Sequence, residues 1–363
     1  MPANTLPPPI NVLLIGASGY IGGSILAHLC SEVDTAAIRI SALVRDPADA
    51  KAITNSYPQV RTLLGDLSNA SLLRDAAAES DAVIYAARNT QDGVEPLMAG
   101  LVDGAENPPE SSPESSARRR AARIRPALFI MLSAIISLAD PKNLRLGEAP
   151  LESSKPTSDA DDREAIASLP VHHWHVAQER AFLRLAAEKS PAVVTPVVMS
   201  LPLTVGDGTG PVRTRGFVHA YAQALRRRQG KKPFVMGEGR NVWSWSSPRD
   251  LAAAVAFVLD SWMAQDDDLQ GHVFVASGQL EMRRLASYVG RALGSVSKEE
   301  HEASVGECES LQYPQFAELM PELPGLWGVT ARSQADRLRR KGWKPMGTEW
   351  EPLVDECVRS SCV

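Results

Sequence analysis

The stretch "NVLLIGASGYIGG" (residues 11–23) decides the fold. An apolar run, Asn11 to Ile15, reads as a buried strand, and Tyr20 onward reads as a helix. Between them Gly16, Gly19 and Gly22 form G-x-x-G-x-x-G. Gly16 suits a tight turn, Gly19 lets backbone approach a ligand closely, and Gly22 lets the helix pack against the strand. Helix-start N–H groups and the helix dipole then favour phosphate. After a first strand and before a helix, this spacing is the pattern of a dinucleotide pyrophosphate site.

Further apolar runs recur outward from this loop: "IRISALV" (38–44), "VRTLLGD" (60–66), "DAVIYAA" (81–87), "ALFIMLS" (127–133) and "AVVTPVVM" (192–199). Helical patterns separate them, from Pro47 and from "SNASLLRDAAAE", where Ser68 or Asn69 suits the N-cap. Strands apolar on both faces, alternating with helices, imply an α/β fold: a Rossmann-like, doubly wound parallel sheet. "GHVFVASG" (271–278) reads as a strand returning to that sheet. A dinucleotide-binding domain is expected over 10–200 plus about 247–278, with 103–126 as a flexible insertion. A smaller C-terminal substrate-binding domain is expected over about 201–246 plus 279–350, laid over the sheet's carboxyl edge.

At 363 residues, with 44% hydrophobic and 22% charged residues, the composition is that of a soluble globular protein. A net charge of −5 and a pI near 5.9 speak against nucleic acid or an anionic membrane as partner. The arginine run "ARRRAARIR" (117–125) reads as a solvated face. The N-terminus lacks a signal-peptide pattern, and the longest apolar run, 126–139, is shorter than the roughly 20 residues a membrane helix needs. Four cysteines without C-x-x-C spacing (Cys30, Cys308, Cys357, Cys362) fit a reduced, cytoplasmic protein. The expected partner is a small-molecule substrate, with a homodimer as one option for assembly.

The glycine loop, "GDL" (65–67), "GEGRNVWSWSSPRDLA" (237–252) and "RLRRKGWKP" (337–345) together resemble the extended, epimerase- and dehydratase-like branch of the short-chain dehydrogenase/reductase superfamily. The resemblance spans about residues 10–345. It implies a nicotinamide cofactor held by Gly16, Ser18, Gly19, Tyr20, Ile21 and Gly22, with Asp66 and Leu67 at the adenine; a helix N-cap is the other reading of Asp66. After the second strand comes "VRDP": Arg45 suits a 2′-phosphate and Asp46 a 2′-hydroxyl. Arginine comes first, so NADP is expected, with NAD as the alternative.

Hydride-transferring members of that branch carry Tyr-x-x-x-Lys after the fifth strand, where lysine lowers the tyrosine pKa. None of the six tyrosines here has lysine four residues on. The corresponding segment is "SLPVHHWHVAQERAFL" (168–183), which places His175 at the lysine position and Val171 at the tyrosine position. At the strand exit Ala134 stands where a hydroxyl is expected, with Ser133 one residue early. Read as a helix, the segment puts Val171, Trp174 and His175 on one face. His175 and Ser133 are then the catalytic candidates, and His172 and Trp174 the substrate-binding ones. A simple His175–Glu179 ion pair is the competing reading. No metal site is expected: His172 and His175 have suitable spacing, but no third ligand is evident.

These features imply an NAD(P)H-dependent oxidoreductase acting on a small, apolar carbonyl or enone of secondary-metabolite type. Two alternatives stay open. One is a non-redox isomerase, lyase or cyclase with a structural cofactor, its pocket walled by Trp174, Trp243 and Trp245. The other is a non-catalytic protein that senses NADP(H). Ser200 and Val205 replace the arginine and tyrosine of sugar-nucleotide epimerases, which disfavours a nucleotide sugar.

Overall fold

The computed structural model describes residues 9–33, 37–87, 92–106, 125–142, 144–151, 154–189, 192–214, 216–228, 232–294, 308–321 and 324–361. The arginine run up to Ile124 and Cys362 lie outside them. The main sheet is built from β1 (Ile10–Ile15), β2 (Ile38–Val44), β3 (Arg61–Leu64), β4 (Ala82–Tyr85), β5 (Ala127–Ala134), β6 (Val194–Leu201) and β7 (Gly271–Phe274). Its seven parallel strands run in the order β7-β6-β5-β4-β1-β2-β3. The register aligns Leu14 of β1 with Ala42 of β2 and Ile84 of β4. Chain direction across the sheet reverses between β1 and β4. The carboxyl end of β1 therefore opens at a switch point, where α/β sheets bind ligands.

The intervening helices are α1 (Tyr20–Ser31), α2 (Pro47–Ser56), α3 (Ala70–Ala78), α4 (Val94–Glu106), α5 (Val176–Lys189) and α6 (Pro248–Met263). Their starts follow local chemistry. Asp46 caps α2 by accepting from the Ala48 N–H, with Pro47 in the first turn, and Asn69 caps α3 by accepting from the Leu72 N–H. Asn69, and not Asp66, is thus the cap.

The chain divides into two units. The first comprises residues 1–133, 178–199 and 252–272, and its core includes Leu13, Ile15, Val83, Tyr85, Phe129, Phe182 and Val198. In this unit the Arg125 guanidinium stacks 4.0 Å from the Trp262 ring centroid and donates to the Met263 carbonyl. The second comprises 134–177, 200–251 and 273–363. Residues 134–177 therefore group with it, whereas the sequence reading ran the first domain to residue 200.

Within the second unit, Val242–Ser246 pairs antiparallel with Gly278–Glu281 and parallel with Leu203–Thr204. Helices Phe217–Arg227, Met282–Ala292 and Glu351–Ser360 complete a separate core. Trp243 and Trp245, 5% and 1% exposed, belong to that core. They are core filling, which removes them from the aromatic wall expected for a substrate pocket. Asp159 is a second internal fastener, its carboxylate accepting from the Phe274 and Arg337 N–H groups at 2.8 and 2.9 Å. Among the described residues no helix is long and apolar enough to cross a membrane.

Candidate functional site

The glycine loop has the conformation its spacing demands. Gly16 sits at φ +83°, and a Cβ there would lie 2.7 Å from the Ala86 carbonyl oxygen just past β4. A Cβ on Gly22 would lie 2.1 Å from the Gly16 oxygen, so neither position accepts a side chain. Gly19 is the N-cap of α1; no side chain caps this end, and its first turn holds no acidic residue. The first N–H groups of a helix have no intrahelical acceptor. No side-chain cap and no first-turn carboxylate competes with a phosphate at this end. Gly16, Ser18, Gly19, Tyr20, Ile21 and Gly22 therefore fit a dinucleotide pyrophosphate.

At the next two strand ends, Arg45 and Asp46 follow β2, while Asp66 and Leu67 follow β3. The Asp46 carboxylate is committed to capping α2, while Arg45 beside it is exposed. Asp66 is exposed and accepts from the Ser68 N–H and hydroxyl, at 2.8 and 2.5 Å. Those bonds, and next the charge of nearby Arg45, hold its carboxyl below the usual range. Leu67 is half-buried against the first unit's core.

Ser133 lies at the end of β5, 6% exposed, and its hydroxyl donates to Oε1 of Glu179, in the first turn of α5 and 2% exposed. Burial pushes the Glu179 carboxyl up to about 7, and the bond from Ser133 pulls it partly back. Nδ1 of His272, on β7, stands 3.9 Å from Oε2. The sequence offered Glu179 as a partner for His175, four residues before it on one helix. Its hydroxyl partner is Ser133, 46 residues away. All three residues belong to the first unit.

In the second unit, the histidine segment departs from the helical reading. Residues 171–175 form successive turns and α5 begins only at Val176, so Val171, Trp174 and His175 share no helical face. The His173 N–H bonds to the Pro170 carbonyl and the Val176 N–H to the His173 carbonyl. His175 adopts φ +67°, a left-handed geometry that histidine tolerates better than most residues. Burial lowers its pKa, favouring the neutral ring. Trp174 packs, partly buried, on the second unit's core. His172 pairs with Asp140 at 3.1 Å.

Residues 16–109 match a family model described as NAD(P)H-binding. Over 358 residues the chain is 26% identical to a protein described as oxidase ucsJ from Acremonium sp., covering 95% of this chain and 94% of that one. Among solved structures, the dTDP-glucose 4,6-dehydratase DesIV of Streptomyces venezuelae, with NAD and TYD bound, has a TM-score of 0.63 at 15% identity, covering 96% of each chain. The UDP-glucose 4-epimerase of Thermotoga maritima, with UDP-glucose, has a TM-score of 0.60 at 12% identity, covering 96% of this chain and 98% of that one. At such identities the likeness is one of fold.

Proposed function

We propose that this chain, whose residues 16–109 match an NAD(P)H-binding family model and whose fold resembles that of NAD-bound epimerases and dehydratases, is a nicotinamide-dinucleotide-dependent oxidoreductase of the extended short-chain dehydrogenase/reductase type, acting on a small carbonyl or enone compound. The observation that carries this reading is the uncapped amino end of α1 behind a glycine turn with no room for side chains. The relation to an Acremonium protein described as an oxidase, over nearly the whole of both chains, supports a redox role. Neighbours of this fold were solved with NAD, so NAD is at least as good a candidate as NADP. Arg45 is the residue that would favour NADP.

When bound, the nicotinamide supplies a donor or acceptor of hydride. The chain itself must then manage a proton without the usual tyrosine and lysine. Ser133 is proposed to hold it, with Glu179 behind it as the reservoir. A carboxyl titrating near 7 is close to half-protonated at neutrality, so it can take up or return a proton through the hydroxyl. His175, kept neutral by burial, is proposed as a second acceptor. Because His172 is engaged by Asp140, substrate contact is proposed for Trp174. An enone suits this arrangement, since its reduction needs little help from an acid.

The test is titration of purified protein with NAD(H) and NADP(H), then incubation with carbonyl and enone candidates with and without reduced cofactor. Binding followed by substrate-dependent loss of absorbance from the reduced nicotinamide is the expected result. Product formed without cofactor consumption would instead favour a non-redox isomerase, lyase or cyclase, the reading supported by the absence of Tyr-x-x-x-Lys. Tight cofactor binding with no turnover would favour a sensor of NADP(H).

A further inference from the structure

The second unit brings Asp140, His172 and His173 together. His173 is 8% exposed, and its Nδ1 lies 2.9 Å from the Ser137 carbonyl oxygen. A carbonyl only accepts, so Nδ1 carries a proton and Nε2 is the nitrogen left to serve as a ligand. Nε2 of His173 stands 3.7 Å from Oδ1 of Asp140. Nε2 of His172 approaches the same oxygen at 3.1 Å, and the three ligand atoms all lie within 4.8 Å of one another.

We propose that Asp140, His172 and His173 form a binding site for one divalent transition-metal cation of the zinc class. The spacing fits: with bonds of about 2.0–2.1 Å, neighbouring ligands of a tetrahedral zinc ion stand about 3.4 Å apart, between the two distances to Asp140. The outer anchors are also those of a metal site. The bond from His173 Nδ1–H to Ser137 orients that ring, and the Lys142 N–H at 2.9 Å orients the Asp140 carboxylate. His172, at the surface, turns its Nε2 to the metal once its proton resides on Nδ1. Two imidazoles with one carboxylate select zinc, cobalt, nickel or copper over magnesium or calcium, which take oxygen ligands. Solvent supplies the remaining positions, because Asp140 and His172 are 40% and 34% exposed. The bound ion would clip the 171–175 turn to the segment after Ala139, which is 32 residues earlier in the chain at Asp140.

The test uses full-length protein dialysed against a chelator and then titrated with zinc chloride by calorimetry, and with cobalt chloride by visible absorption. One equivalent of zinc, an intense cobalt d–d band and no competition from millimolar magnesium are expected. His172→Ala and Asp140→Asn, both at partly exposed positions, should each weaken zinc binding by at least about tenfold while leaving the unfolding temperature of the metal-free protein in place. No zinc uptake would overturn the proposal. So would uptake that neither variant changes, since the ion would then sit elsewhere.

Discussion

Ser133 donates its hydroxyl proton to a Glu179 carboxyl that is almost wholly buried. A buried carboxylate is costly without donors. A serine hydroxyl offers one proton, and His272 stands at the outer edge of ion-pair range. This scant satisfaction leaves the Glu179 carboxyl near 7, in the range where proton exchange at neutral pH is fastest.

Replacing Ser133 with alanine distinguishes a proton station from a structural tie. If Ser133 carries protons, Ser133→Ala should lower kcat by about 10²–10⁴ with dinucleotide affinity unchanged. Its removal also takes away the bond that holds the Glu179 pKa down, so the pH at which remaining activity is half-maximal should move upward. Steady-state kinetics against pH reads both effects. A variant that loses stability but keeps kcat and its pH profile would make the pair purely structural.

The two later glycines of the loop should separate folding from binding. A Cβ on Gly22 meets backbone oxygen at 2.1 Å, so Gly22→Ala should destabilise by about 3 kcal/mol or more. On Gly19 the nearest atom to a Cβ is 3.2 Å away and φ is −81°, which alanine adopts readily. Gly19→Ala should therefore fold, with an unfolding temperature close to that of the parent. It should bind dinucleotide at least about tenfold more weakly, because the methyl group stands where a pyrophosphate approaches. Chemical denaturation and fluorescence titration of both variants check this. Undiminished binding by Gly19→Ala would remove the loop from the cofactor site.

Arg45 has a sharper test now that Asp46 is known to cap α2. Arg45→Ala should weaken NADP(H) binding by about tenfold to a hundredfold, the worth of a charge-assisted pair with phosphate, and leave NAD(H) nearly unaffected. Equal losses for the two cofactors would assign Arg45 to the surface. In that case the site makes no use of a 2′-phosphate.

The parallel sheet was readable because each strand is an apolar run and each helix starts with a recognisable signal, such as Asp46-Pro47 or Asn69. The glycine turn was readable for a stricter reason: Gly16 and Gly22 stand where no other residue fits. The region around His175 was not. Val171, Trp174 and His175 have helical spacing, but the turns closed on Pro170 and His173 absorb the segment before α5 begins, and spacing alone cannot show which hydrogen bonds win. The pairing of Ser133 with Glu179 and the convergence of Asp140 with His172 and His173 bring together residues far apart in the chain. Local pattern carries no record of such contacts. Trp243 and Trp245 looked suited to a ligand wall because large aromatics serve cores and pockets equally, and only their burial decides between the two.

The buried carboxyl also predicts how stability depends on pH. In the unfolded chain Glu179 titrates near 4.5, and in the folded protein at about 7. Between those values the native state keeps a proton that the unfolded state has released. Stability from this group is therefore complete below about 4.5 and is lost as pH rises through about 7, a change on the order of 3 kcal/mol. Glu179→Gln carries no charge at any pH and can still accept the Ser133 proton through its amide oxygen. Relative to the parent, the variant should gain stability steadily from pH 5 to pH 8, which urea denaturation at those two values measures. His272, 3.9 Å away, is the neighbour able to offset the charge by becoming an imidazolium, and His272→Gln in the Glu179 background would steepen the loss if it does so. Parallel pH profiles for parent and Glu179→Gln would mean that the carboxyl ionises in the folded protein at its ordinary pKa, and the proton reservoir assigned to it would be gone.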